Sequence, residues 1–130
     1  MIVDSSAILA ILLEEPEGHR LDVTILNCAN PKMSAGSFLE TSMILESRRG
    51  IDGIRDLDIQ IMRFGIKIIA LSESHAKLAR EAFRRYGKGR HPAQLNFGDC
   101  MAYALARETG EELLFKGTDF AQTDIAVAAY

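Results

Sequence analysis

The chain has 130 residues and a net charge of −3, and 48% of its residues are hydrophobic, which favours one folded domain over residues 1–130 and excludes a disordered tail. No apolar run reaches the roughly 20 residues that a membrane-spanning helix needs, and no secretory signal begins the chain, so we expect a cytoplasmic protein. The acidic net charge also excludes nucleic-acid binding through overall charge, so RNA would require a local basic patch.

The first half of the chain alternates short apolar segments with longer segments of helical periodicity. A stretch that is apolar on almost every side indicates a buried helix, which ends near Pro16. Gly50 and Gly65 are typical helix ends and stop the two later helices. The predicted strands are Met1–Val3 and Lys32–Ser34, and the predicted helices are Ser6–Leu13, Arg20–Asn27, Ala35–Arg49 and Gly53–Phe64.

The second half repeats this alternation. Ser74 is a suitable N-cap for an amphipathic helix that runs to Tyr86, and Asn96 caps a helix that runs through Thr109 and ends at Gly110. The predicted strands are Lys67–Ala70, Glu112–Phe115 and Ile125–Ala128, and residues 87–95 are predicted to be a loop. Strands separated by helices predict an α/β fold with a parallel sheet covered by helices on both faces.

Four acidic residues occupy positions near the carboxyl ends of the predicted strands, where sheets of this kind bind ligands. Asp4 directly follows the first strand, and Glu40 lies in the helix after the second strand. Asp99 begins the helix that leads into the fourth strand, and Asp119 follows that strand. We therefore expect these four carboxylates to meet at one edge of the sheet.

Three of these acids also have an ordinary structural explanation. Asp4 could cap the first helix, Asp99 could be a favourable first-turn acid, and Asp119 could be a turn residue. Glu40 is harder to explain in this way, because its helix face is not an obviously solvated one. Asp99 likewise leads a stripe of small and apolar residues, which indicates a position that faces inward.

Carboxylates that converge in a buried site without partners repel one another, and a divalent cation removes that conflict. Oxygen ligands alone suit Mg²⁺ or Mn²⁺ rather than zinc. An ion held in this way keeps open positions, at which it can polarise a phosphodiester and generate a hydroxide nucleophile. The residues therefore predict metal-assisted hydrolysis of a phosphodiester, with one or two ions.

Four sequence blocks, taken in order and at their separations, resemble a known family. They are MIVDSSA at residues 1–7, a Glu in the helix after the second strand, NFGDCMAYALA at 96–106 and LFKGTDF at 114–120. Together they span the chain, and they resemble the PIN-domain ribonucleases and, more narrowly, the VapC toxins of bacterial toxin–antitoxin pairs. The resemblance implies an α/β/α sandwich with a central five-stranded parallel sheet. It also implies Mg²⁺- or Mn²⁺-dependent cleavage of RNA, a homodimer, and inhibition by a VapB-like antitoxin.

The resemblance also implies a role for each acid. Asp4 and Asp99 match metal ligands, Glu40 matches the third acid and Asp119 the fourth, with the last two also able to orient the attacking water. In the same comparison, Ser6 matches a supporting hydroxyl beside the first Asp.

The loop around the fourth acid departs from the pattern of many relatives. They carry an additional acid two residues before the Asp, where this chain has Gly117. Either Asp119 alone or a contribution from Asp124 then completes the acidic site, and Thr118 could position the water.

A basic cluster spans the end of the helix that stops at Tyr86 and the loop after it. A solvated helix end that complements the helix dipole explains this cluster most simply, and contact with RNA phosphates is the alternative. Lys116 is a further candidate because it lies close to Asp119 in the sequence. The residues of the cluster are Arg84, Arg85, Lys88 and Arg90.

Two other functions compete with that of an endoribonuclease toxin. The first is a catalytically silent PIN-like module that binds RNA or protein, which the retained acids argue against. The second is a phosphatase of the haloacid-dehalogenase type, which also has an Asp after its first strand. Such phosphatases usually have a second Asp two residues later, where this chain has Ser6.

Overall fold

Four short strands form a parallel sheet at the centre of the molecule, as seen in a computed structural model that describes residues 1–130. The strands lie in the order β3-β2-β1-β4 and every neighbouring pair is parallel. Ile2 in β1 lies opposite Lys32 in β2 and Leu113 in β4. The strands are β1 (Ile2–Val3), β2 (Lys32–Ser34), β3 (Lys67–Ile69) and β4 (Leu113–Leu114). The predicted parallel sheet is therefore confirmed.

The prediction of five strands is wrong, because the segment expected as the last strand forms only one bridge. Val127 pairs in parallel with Leu113, whose N–H donates to Ala126 O at 2.9 Å and whose carbonyl accepts from Ala128 N at 3.0 Å. The strand that this segment meets, β4, has only two residues. No second residue pair extends this contact, so the predicted strand Ile125–Ala128 is a single bridge beside a four-stranded sheet.

The predicted helices all form, with small shifts at their starts. The helix that ends at Tyr86 begins one residue earlier than expected, at Glu73, because Ser72 rather than Ser74 is its N-cap and accepts from His75 N at 3.1 Å. A 3₁₀ helix follows β4 at Phe120–Gln122. The helices are α1 (Ser5–Leu12), α2 (Gly18–Leu26), α3 (Ala35–Phe64), α4 (Glu73–Tyr86) and α5 (Phe97–Thr109).

The two helices predicted on either side of Gly50 correspond to the two halves of α3. Gly50 has a φ of 62° and a ψ of −148°, which is not helical, so the chain changes direction there before the helix resumes. This backbone conformation is readily available to glycine and costly for other residues. The predicted helix end at Gly50 is therefore confirmed.

The sheet divides the hydrophobic core into two parts, because successive residues of a strand point to opposite faces. Ile2 and Leu113 belong to a cluster formed mainly with α4 and α5, whereas Val3 and Leu114 belong to a cluster formed with α1, α2 and α3. Helices thus cover both faces of the sheet, as predicted for an α/β fold. None of the helices combines the length and the apolar character needed to cross a membrane.

Candidate active site

Asp4 lies where β1 ends and α1 begins. Its Oδ2 accepts from Ser6 N at 2.9 Å and from Ser6 Oγ at 2.7 Å, so the residue does act as the N-cap of α1. The cap uses only one of its oxygens, since Oδ1 is buried without a hydrogen-bond partner. Burial of a side chain that is 3% exposed raises the pKa of Asp4, and the nearby charge of Glu40 adds to this rise. One carboxylate oxygen is thus left without a partner in the protein.

Ser6 fixes the position of this carboxylate. Its hydroxyl donates to Asp4 Oδ2 and accepts from Lys116 N at 2.9 Å, just beyond the end of β4. The hydroxyl therefore joins the loop after β1 to the loop after β4. The structure places Ser6 against Asp4, in agreement with the supporting position that the sequence suggested for it.

Glu40 reaches the same region from the second turn of α3. Its Oε2 accepts from Ser5 Oγ at 2.8 Å, which joins α3 to the first residue of α1. The Glu40 carboxylate also lies directly on the backbone of Gly98, because a Cβ built at residue 98 would overlap both of its oxygens. Sequence reasoning missed both Ser5 and Gly98 as contacts of this acid. Only Gly98 carried a signal in the sequence, because a glycine in the first turn of a helix weakens helix formation.

Asp99 lies one residue after this glycine and forms a capping box with Asn96. Asp99 Oδ2 accepts from Asn96 N at 2.8 Å, and Asp99 N donates to Asn96 Oδ1 at 2.9 Å. Burial raises the pKa of Asp99 to about 6, and the negative charges of Asp4, Asp119 and Glu40 contribute further to the rise. The structure therefore brings the four predicted acids into one electrostatic environment.

Asp119 is the most accessible of the four acids. It is exposed and precedes the 3₁₀ helix Phe120–Gln122. Its side chain accepts no capping hydrogen bond from that helix. Thr118 is exposed beside it. The carboxylate of Asp119 is therefore free to face solvent while it adds negative charge to Asp99.

Asp124, the alternative fourth acid, has other partners. It accepts from Tyr103 Oη at 2.7 Å and forms ion pairs with Arg85 at 3.4 Å and Arg107 at 3.6 Å. Asp119, in contrast, is one of the charges that raise the pKa of Asp99. Of the two alternatives, Asp119 is therefore the one that lies with the other acids.

Most of the predicted basic residues are engaged with carboxylates. Lys116 pairs with Glu15 and lies 3.8 Å from Glu17, so its ammonium group is engaged by two carboxylates that are not among the four candidate acids. Arg84 pairs with Glu81 at 2.9 Å. Lys88 and Arg90 are exposed and form no ion pair, so they remain available to an anionic ligand.

The acids share one environment but do not form a closed cage, because no group of three or more His, Cys, Asp or Glu side chains encloses a point where an ion would bind. The residues nevertheless fit a hard divalent cation, since the buried Oδ1 of Asp4 lacks any partner and every candidate ligand is an oxygen. The capping box engages Oδ2 of Asp99, so Oδ1 is the oxygen of this residue that is available to such a site.

The raised pKa of Asp99 predicts how the stability of the metal-free protein depends on pH. Between the ordinary pKa near 4 and the folded value of about 6, the folded state binds more protons than the unfolded state, so stability falls as pH rises through this range. We expect the melting temperature in EDTA to be lower at pH 7 than at pH 4.5. Asp99→Asn should flatten this slope relative to the wild type, and equal slopes in the two proteins would contradict the assignment.

Comparisons with known proteins identify the family of the chain. Residues 1–126 match the model of the PIN domain family. The chain is 46% identical over 126 residues to Ribonuclease VapC of Mycolicibacterium smegmatis, an alignment that covers 97% of this chain and 98% of the relative. It is 44% identical over 129 residues to Ribonuclease VapC30 of Mycobacterium tuberculosis, covering 99% and 98% of the two chains.

Solved structures share the fold at much lower identity. The VapC20 toxin of Mycobacterium tuberculosis, described as cleaving the sarcin–ricin loop, superposes with a TM-score of 0.78 at 16% identity, covering 99% of this chain and 98% of that one. A chain of a toxin–antitoxin complex from Klebsiella pneumoniae gives a TM-score of 0.70 at 18% identity, covering 99% and 97%. The family model over residues 1–126 and the full-length relatives lead to the same result: the chain belongs to the PIN domain family and, within it, to the VapC ribonucleases.

Proposed function

We propose that the protein is a Mg²⁺- or Mn²⁺-dependent endoribonuclease and the toxin of a type II toxin–antitoxin pair. The observation that carries this proposal is the buried Oδ1 of Asp4, which has no partner although the charge of Glu40 acts on this carboxylate. The charges of Asp4, Glu40 and Asp119 act in turn on Asp99. An unpartnered buried carboxylate oxygen is costly, so it is usually matched by a cation or a proton. Membership of the VapC ribonucleases supports the choice of a cation and of RNA.

The residues of the site divide the proposed chemistry among them. Asp4, Glu40 and Asp99 would hold the cation, with Asp119 as the fourth acid. When bound, the cation would act as a Lewis acid on the phosphate and lower the pKa of water. Ser6 and Ser5 keep the Asp4 and Glu40 carboxylates in fixed orientations through their hydrogen bonds.

Asp119 and Thr118 face solvent at the entrance and are suited to orient the attacking water. The oxygen of that water forms a bond with phosphorus as the bond from phosphorus to the leaving ribose oxygen breaks. The hydrolysis needs no covalent intermediate on the protein.

The partners follow from the same proposal. The toxin would be a homodimer that a VapB-like antitoxin inhibits. Leu39 and Met43 on α3 are 59% and 60% exposed, and an apolar helix face of this kind suits an interface with another protein chain. A solved relative from Rickettsia felis, titled VapBC2, is bound to DNA from its promoter, which supports an antitoxin that also binds DNA.

The direct test is cleavage of RNA by the purified chain with Mg²⁺, with Mn²⁺ and with EDTA. We expect internal cleavage of an end-labelled RNA with either ion and none in EDTA. A preparation of the Asp4→Asn variant, purified in the same way, controls for contaminating ribonuclease, and p-nitrophenyl phosphate tests for a phosphatase.

Two outcomes would contradict the proposal. Hydrolysis of the small ester without cleavage of RNA would favour the phosphatase. Failure of Mg²⁺ and Mn²⁺ to bind in calorimetry, together with intact RNA, would favour the silent binding module.

A further inference from the structure

An open groove of about 430 Å³ lies between α4 and α5, and Phe97 in its lining directly precedes Gly98, on which the Glu40 carboxylate lies. Its floor is apolar, two aromatic rings stand at its edge and one arginine lines it. A cavity of this volume is large enough for a small planar group, and its surface offers mainly apolar contact. The residues that define this stacking groove are Ala79, Arg80, Phe83, Phe97, Cys100 and Met101.

Phe97 is the residue of the groove that folding explains least. It is the first residue of α5, two positions before Asp99, and it is 78% exposed. A phenylalanine stabilises a fold by burying its ring, and this ring is not buried. Phe83 across the groove is 40% exposed, so two rings remain open to a ligand.

The surroundings of the groove carry positive charge, in contrast to the acidic site beside it. Arg80 lines the groove, is exposed and forms no ion pair. The Arg90 guanidinium lies over the Phe83 ring at 5.2 Å from its centroid and is likewise unpaired. Exposed Lys88 lies in the same loop as Arg90. This charge complements a phosphate backbone, whereas a second copy of this chain would bring the same cations against themselves.

We propose that the stacking groove binds one unpaired nucleobase of the RNA substrate, stacked on Phe97 next to the phosphate that is cleaved. Arg80 and Arg90 contact the flanking phosphates. Aromatic rings beside unpaired cations form the combination by which proteins hold single-stranded nucleic acid. Phe97 is then a substrate-positioning residue, because its ring holds one unpaired nucleotide in place relative to the acids and stacking accepts any base. This proposal rests on the ribonuclease function proposed above.

The first test is the kinetics of cleavage by variants of Phe97. Phe97→Ala should raise KM on the order of 10- to 100-fold and change kcat far less, because stacking is lost while the acids remain. Phe97→Leu, which keeps apolar volume without a ring, should lose nearly as much, and Phe97→Trp should restore binding. Val23→Ala removes an apolar side chain that is 42% exposed on α2 and should leave KM unchanged.

Removing the base from the substrate locates the nucleotide. A series of RNA oligonucleotides, each with one abasic position, should show one position at which the wild type loses about as much as Phe97→Ala loses on intact RNA. At that position the effects of the abasic substrate and of Phe97→Ala on KM should not add, because both changes remove the same stacked pair. Full additivity at every position would overturn the proposal.

A binding measurement separates this proposal from the ribonuclease function. Because the chain has no tryptophan, 2-aminopurine placed at each position of the oligonucleotide in turn can be excited without protein fluorescence, and this scan needs no cleavage. In EDTA, quenching of 2-aminopurine fluorescence by the wild type but not by Phe97→Ala would support base binding in the stacking groove. If the wild type also cleaves no RNA, only the proposed ribonuclease function is overturned.

If RNA is cleaved normally and 2-aminopurine is quenched equally by the wild type and by Phe97→Ala, the proposed role of the stacking groove is overturned and the ribonuclease function is not. An unchanged KM in Phe97→Ala, together with an altered oligomeric state, would assign the groove to protein contacts and overturn its role in RNA binding.

Discussion

Asp4→Asn is expected to reduce RNA cleavage roughly 1000-fold or more while the fold is retained. Asparagine keeps the oxygen that accepts from Ser6 N and Ser6 Oγ, so the cap of α1 survives. The substitution removes the negative charge of the buried group whose Oδ1 has no partner in the protein. Cleavage rates at saturating Mg²⁺, with circular dichroism to verify folding, measure the effect.

The same variant should be more stable than the wild type when metal is absent. Burial disfavours the charged form of Asp4, which is why its pKa is raised, and a neutral side chain avoids that cost. We expect the melting temperature in EDTA to rise by roughly 2–4 °C, which corresponds to about 1 kcal/mol. Mg²⁺ should stabilise the wild type through binding and should stabilise the variant much less.

Asp58→Asn is the matched control for this substitution. Asp58 is exposed on α3 and forms no ion pair, so loss of its charge should alter neither cleavage nor the response to Mg²⁺. Cleavage by Asp4→Asn at the rate of the wild type would show that this carboxylate is not part of the active site. A loss of cleavage accompanied by unfolding would instead make Asp4 a structural residue only.

The predictable part of this fold is the part that local sequence determines. Asn96 and Gly110 mark the two ends of α5, and Gly50 marks the change of direction within α3, because caps and positive-φ glycines act within one turn of the chain. The fifth strand depended on a partner far away in sequence. Its composition suited a strand, but only Val127 pairs with β4, and local composition does not determine how far such a pairing extends.

The candidate site divides in the same way. The position of Asp4 after the first strand supported its selection, because parallel strands carry their carboxyl ends to one edge, whereas Asp119 was selected mainly by the family resemblance. The choice between Asp119 and Asp124 was open in the sequence, since it depends on the distant partners Arg85 and Arg107. The contact of Glu40 with the first turn of α5 was equally invisible, because it depends on how α3 and α5 pack together.

That contact gives the second large expected effect: Gly98→Ala should reduce cleavage about 10- to 100-fold without destabilising the protein. A Cβ at residue 98 would overlap the Glu40 carboxylate, so this flexible side chain must move away from its place beside Asp99. The movement costs little folding energy, and alanine is the better helix former by up to about 1 kcal/mol. Cleavage rates and melting temperatures, measured on the same preparation, separate the two effects.

Gly36→Ala is the matched control, because it places the same methyl group in the first turn of another helix. Its Cβ would lie 2.9 Å from Met101 Cγ and would reach no carboxylate. We expect Gly36→Ala to cleave RNA within about threefold of the wild type, since a methionine side chain adjusts readily. Equal losses in the two variants would attribute the effect to helix packing rather than to Glu40. Full activity in Gly98→Ala would mean that the carboxylate of Glu40 can leave this position without consequence, and its place in the active site would have to be given up.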